Sequence, residues 1–150
     1  MAEVTFSIRE VTIAVNDIAA AAERLGGALQ SKVDEIVEFP EENLELQMGG
    51  VWVGDGDFHL ALVHDPSGRG PVGRFLEKRG EGIYELNVRT NDLPAAIQHM
   101  KSQGFRFVSE TPHVLPDYDW NGEIYSELRI VFVDPASAHG VLIEVAQWIK

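Results

Sequence analysis

Val11, Ile13 and Val15 alternate with Thr12 and Ala14 behind Glu10, a period of two that marks a strand with one buried face. At Asn16-Asp17 the spacing changes: Ile18, Ala22, Leu25 and Leu29 follow a helical period, with Asp17 where an N-cap belongs. The pattern predicts a helix to about residue 29. The same succession returns 75 residues later, E-V-T-I-A-V-N-D-I-A-A-A at 10–21 matching E-L-N-V-R-T-N-D-L-P-A-A at 85–96. Asp92 is the second cap, and its helix is predicted to run to about residue 104. A repeat at half the 150-residue length means two copies of one module.

Three strand-like runs follow each helix, at 33–39, 44–53 and 58–64, then at 106–110, 127–133 and 141–148, with Gly and Pro between them. The fold class is therefore α+β: a single domain over 1–150, built from two β-α-β-β-β modules. Module one covers about 4–64, a linker loop and short helix 65–80, and module two about 82–148. Residues 112–125 read as a long aromatic, acidic loop: either a lid in which His113, Tyr118, Trp120 and Tyr125 bind substrate, or a plain surface loop. One face of each sheet belongs under its helix; the other faces are expected to curl into an incomplete barrel around a central cavity. The alternation places Glu10, His59, Glu85 and Glu144 on the cavity side.

Composition narrows the chemistry. Cysteine is absent, which removes disulfides, thiolate nucleophiles and Cys-type metal sites. A net charge of −12 repels phosphate backbones and anionic lipid, so neither nucleic acid nor membrane is an expected partner. No apolar run approaches the ~18 residues of a membrane span, and the first residues carry no leader pattern; a cytoplasmic location is expected.

The repeated modules resemble the vicinal-oxygen-chelate superfamily of glyoxalases, extradiol dioxygenases and antibiotic-resistance proteins. R-F-L-E-K-R-G-E-G-I at 74–83 and F-V-D-P-A-S-A-H-G-V-L-I-E at 132–144 resemble its methylmalonyl-CoA epimerase branch in particular. With the repeat starts, the resemblance runs from Ile8 to Trp148. It implies a divalent metal (Mn, Fe, Co, Ni, Zn or Mg) at the positions held here by Glu10, His59, Glu85 and Glu144. Glu replaces the family's histidine at both module starts, and His59 stands where Gln or Glu is usual. It further implies proton abstraction next to a carbonyl, with Glu144 as base and Glu45 as the carboxylate across the substrate, and a homodimer.

Three carboxylates converging on one cavity repel by several kcal/mol at low effective dielectric. A bound cation, a protonated Glu, or pairing with Arg89, Arg106 or Arg129 would each relieve this. The expected function is an isomerase, epimerase or lyase acting on a small carbonyl or acyl compound, an acyl-CoA being one such substrate, through an enolate. The alternative is a metal-free binding protein whose carboxylates clasp a cationic ligand against Trp52, Tyr84, Phe132 and Trp120.

Overall fold

The computed structural model describes residues 3–41 and 44–150, with the side chains at 39–41, 44 and 45 outside the described residues. The α+β class and both β-α-β-β-β modules are present. By its internal contacts the chain divides into two units, Glu10–Tyr84 and Met1–Arg9 with Glu85–Lys150.

In the first unit, β1 (Phe6–Ala14) delivers its last five residues, and α1 (Ile18–Leu29), β2 (Lys32–Val33), β3 (Val37–Glu41), β4 (Leu44–Val53), β5 (Phe58–His64) and α2 (Pro71–Arg79) follow. Asp17 caps α1 by accepting from Ala20 N at 3.0 Å. The apolar row of the first strand behaves as its alternation predicts: Ile13, Val15 and Leu62 pack on Ile18, Ala22 and Leu25 of α1. β1 runs parallel to β5, and β5 antiparallel to β4. The strand expected at 33–39 is two pieces, both antiparallel to β4, interrupted at 34–36. The interruption turns Asp34 inward, its backbone N–H donating to Gly50 O at 2.9 Å.

The linker forms the loop and helix that were expected. Its loop is organised by Asp65, 3% exposed, whose Oδ1 accepts from Ser67 N (2.9 Å) and Ser67 Oγ (2.6 Å) and whose Oδ2 accepts from Gly70 N (2.8 Å). Burial alone would raise its pKa; the hydrogen bonds from Ser67, Gly70 and Gly68 outweigh it and hold the carboxyl below its ordinary 3.8. Gly70 is the N-cap of α2, so the same carboxylate aims the helix that lays Val72, Phe75 and Leu76 on Ala14 and Val63. Asp65→Ala strands three donors and is expected to remove about 2 kcal/mol of stability, read as a lower urea midpoint at unchanged m-value. A folded pKa below the unfolded one contributes stability above pH 3.8 that is lost as pH falls through the folded value. The variant's acid limb is therefore expected to be shallower.

The second unit holds β6 (Gly82–Thr90) from Glu85 onward, α3 (Leu93–Ser102), β7 (His113–Trp120), β8 (Glu123–Val133), a 3-10 turn (Pro135–Ser137) and β9 (Ile143–Ile149), in sheet order β6-β9-β8-β7. Asp92 caps α3 through Ala95 N at 3.1 Å, repeating the Asp17 cap 75 residues on. Leu93, Ala96 and Ile97 of α3 pack on Val131, Val133 and Val145. Two expectations are corrected here. Residues 106–110 form no strand: only Phe107 bridges Val133, while Phe105 and Phe107 drop into the core. The expected lid at 112–125 is instead a β-hairpin, β7 and the start of β8. Its turn is Asn121-Gly122, both at positive φ (48° and 91°), the backbone that a two-residue hairpin requires and that Asn-Gly adopts most readily. None of the helices among the described residues is long and apolar enough to cross a membrane.

Candidate functional site

Two of the four expected site residues, Glu10 and His59, belong to the first unit and face each other across the parallel β1–β5 register. The His59 ring is buried, with Nδ1 2.7 Å from Glu10 Oε2 and Nε2 2.6 Å from Asp34 Oδ2. Trp52 stacks on the ring at 4.3 Å between centroids, and its Nε1 donates to Asp34 Oδ1 at 2.5 Å. Asp34 thus bridges the indole and the imidazole. Gly50 makes room for the arrangement, because a Cβ there would run into the His59 ring and the Leu60 carbonyl. Burial pushes the His59 pKa down, but hydrogen bonds and charge from Glu10 and then Asp34 more than compensate, holding it above its ordinary 6.5. In the protonated ring both nitrogens donate, and Glu10, His59 and Asp34 form one carboxylate–imidazolium–carboxylate clamp.

This bears on the metal that the resemblance implies. An imidazole engaged by carboxylates at both nitrogens has no lone pair to offer, and among the described residues no group of three or more His, Asp or Glu is placed to hold an ion. As arranged, these residues do not fit a metal. Chelator treatment is accordingly expected to leave the melting temperature unchanged; a fall that added Mn²⁺ or Zn²⁺ restores would refute this.

Glu85 and Glu144 belong to the second unit. The repeat suggests that they stand level, as Glu10 and His59 do, but β6 and β9 pair with Asn87 opposite Glu144. Glu85 is two residues out of register, and Asn87 Nδ2 donates to its Oε1 at 2.9 Å. On the other side Glu144 pairs with Phe132 of β8. Alternation puts Glu85, Asn87 and Arg89 on one face with Glu144, Ala146 and Trp148. Leu128, Ile130 and Phe132 complete that face as an apolar floor around Ala146 and Trp148. A cavity of about 280 Å³ lined by Leu93, Ile97, Pro112 and Arg129 lies on the other, helix-covered side of this sheet.

Three of the four residues expected to form a lid pack together on β7 and β8 instead. Trp120 and Tyr125 are buried, and Tyr118, Trp120 and Tyr125 surround the Trp148 ring at 5.5, 4.5 and 5.3 Å. Asp117, at φ 54°, lets the strand bring both Leu115 and Tyr118 to that cluster. His113 is exposed near the Phe132 ring. Glu45 lies on β4 opposite Pro40, its side chain outside the described residues. Sequence reasoning missed Asp34, Asn87 and the placement of Arg89. Asp34 left one trace, an acid amid the apolar Val33, Ile36 and Val37. Arg129 pairs with Glu127 (2.9 Å) and Arg106 with Asp134 (3.4 Å), so neither of these ion pairs involves the four site residues.

Two β-α-β-β-β modules, each with a carboxylate on the sheet face turned from its helix, define a class, and comparison with known proteins agrees. Residues 9–120 match the Glyoxalase/Bleomycin resistance protein/Dioxygenase superfamily, and the chain belongs to it. It is 27% identical over 92 residues to the uncharacterized protein YqjC of Bacillus subtilis, covering 61% of this chain and 59% of that one. It is 25% identical over 112 residues to the mitochondrial methylmalonyl-CoA epimerase of Dictyostelium discoideum, covering 74% of this chain and 62% of that one. The chain thus spans about 60% of the length of these two curated relatives. Among solved structures, methylmalonyl-CoA epimerase from Mycobacterium tuberculosis superposes with a TM-score of 0.74 at 28% identity, covering 93% of this chain and 86% of that one.

Proposed function

We propose that this protein is an epimerase-type isomerase that moves a proton at the carbon next to the carbonyl of an acyl thioester. The observation that carries the reading is the seat of Glu144, between Asn87 and Phe132 on an apolar floor, in a chain related to epimerases over nearly its full length. A carboxylate held at a fixed place on a strand is a positioned general base, as abstraction of a C–H next to a carbonyl requires. Glu144 accepts the proton, the C–H electron pair moves into the thioester carbonyl as an enolate, and reprotonation on the other face inverts the centre. An acid on that second face supplies the proton. None of these steps is routed through a metal.

The test is incubation with methylmalonyl-CoA in D₂O. Deuterium at the 2-position together with loss of optical purity is the expected result. No exchange, with a ligand still bound, would favour a binding protein on the same fold. A homodimer belongs to the same proposal, and sedimentation as a single species at twice 16.6 kDa would support it.

A further inference from the structure

We propose that the second unit carries a ligand site separate from the Glu144 face: the hollow between α3 and β8 takes a small apolar carboxylic acid, its carboxylate seated on Arg129. The site stands independently of the epimerase reading. The cavity of about 280 Å³ lies on the helix-covered side of the sheet, away from Glu144. The buried side chains of Leu93 and Ile97 line it, together with Pro112. At about 30 Å³ for each non-hydrogen atom, the share of a water molecule in the liquid, it holds roughly nine of them, the size of benzoate.

Arg129 is the cation in this lining. Its Nε donates to Glu127 Oε2 at 2.9 Å, while its two Nη groups make no hydrogen bond among the described residues. Glu127 thus steadies the guanidinium from one edge and leaves the Nη pair, a planar fork that matches the two oxygens of a carboxylate. Gln98, on the rim, makes no side-chain hydrogen bond among the described residues either, and its amide N–H is a further donor. α3 begins at Leu93, so the positive end of its dipole lies against the same hollow. The acid in the lining, Glu110, is held by Lys101 Nζ at 3.2 Å, which offsets its repulsion of an anion. The donors set the charge of the ligand, and the apolar surface of Leu93, Ile97 and Pro112 sets the character of the rest of it.

The test is titration of the isotopically labelled protein with benzoate, benzamide and benzylammonium, followed by the NMR shifts of backbone amides. Saturable shifts centred on Leu93, Ile97 and Arg129 are expected, with benzoate about tenfold tighter than benzamide and benzylammonium weaker still. Arg129→Met should bring benzoate down to the affinity of benzamide, and Arg129→Lys should keep part of the preference. Arg129 and Glu127 are both partly exposed, so Arg129→Met costs little stability, and its melting temperature is the folding control. Gln98→Trp, which fills the hollow from its rim, should remove the binding of benzoate and benzamide alike. Benzoate that shifts no amide around the hollow overturns the assignment. So does a preference over benzamide that survives in Arg129→Met, or benzoate binding that survives in Gln98→Trp.

Discussion

Glu144→Gln is expected to lower the rate of deuterium exchange into methylmalonyl-CoA by about 10²–10⁴-fold, the range for loss of a positioned general base. The amide keeps the shape and hydrogen-bonding reach of the carboxylate, so binding measured by fluorescence should change little. Its nitrogen carries no basic lone pair and cannot take the proton. Because the loss falls on the transition state alone, kcat and kcat/KM should drop together. Asn87 and Phe132 stand opposite Glu144 on the two neighbouring strands, the substitution is isosteric, and the melting temperature is expected to stay near that of wild type. Exchange that persists within twofold of wild type would remove Glu144 from the mechanism. A drop in kcat/KM with kcat unchanged would make it a binding group.

The second large effect is on stability. His59→Gln leaves the Glu10 and Asp34 carboxylates facing one another with no cation between them, where the ring now lies 2.7 and 2.6 Å from each. The cost of breaking such a pair is about 3 kcal/mol, scaled down from the fully buried case because the Glu10 and Asp34 side chains keep 18% and 27% exposure. For a chain of this length that corresponds to roughly 6–12 °C in Tm. Adding Glu10→Gln and Asp34→Asn to His59→Gln should recover most of the loss, since what destabilises is the uncompensated charge.

The pH dependence has a definite sign. The folded pKa of His59 is raised above 6.5, so its contribution is complete below 6.5 and is lost as pH rises through the folded value. Wild type should lose stability across that alkaline step and His59→Gln should not. Equal slopes for the two proteins would mean that the clamp carries no charge.

How much of this was legible in the sequence differs from residue to residue. The Asn-Asp switch at both module starts is legible in the sequence, because an N-cap and a change of period are local properties carried by neighbouring residues. Asn121-Gly122 is as local a signal, yet the aromatic and acidic residues around it suggest a loop. The hairpin forms because Tyr118, Trp120 and Tyr125 find Trp148, more than twenty residues along the chain from each of them. The stretch 106–110 differs the other way: its alternation fits a strand, but pairing with β8 stops at the single Phe107–Val133 bridge while Phe105 and Phe107 pack in the core beneath α3.

The sequence by itself determined the α+β class, the two modules, their capped helices and the face on which each of Glu10, His59, Glu85 and Glu144 stands. All of these depend on repetition and alternation along the chain. Only the tertiary structure decided what those residues touch. Register between strands distant in sequence set Asn87, and not Glu85, beside Glu144. The break between β2 and β3 brought Asp34 to the second nitrogen of His59. Alternation tells which side of a strand a residue occupies, whereas partners follow from how far each strand slides along its neighbour and where it breaks. Those are settled by packing and hydrogen bonding across the whole sheet.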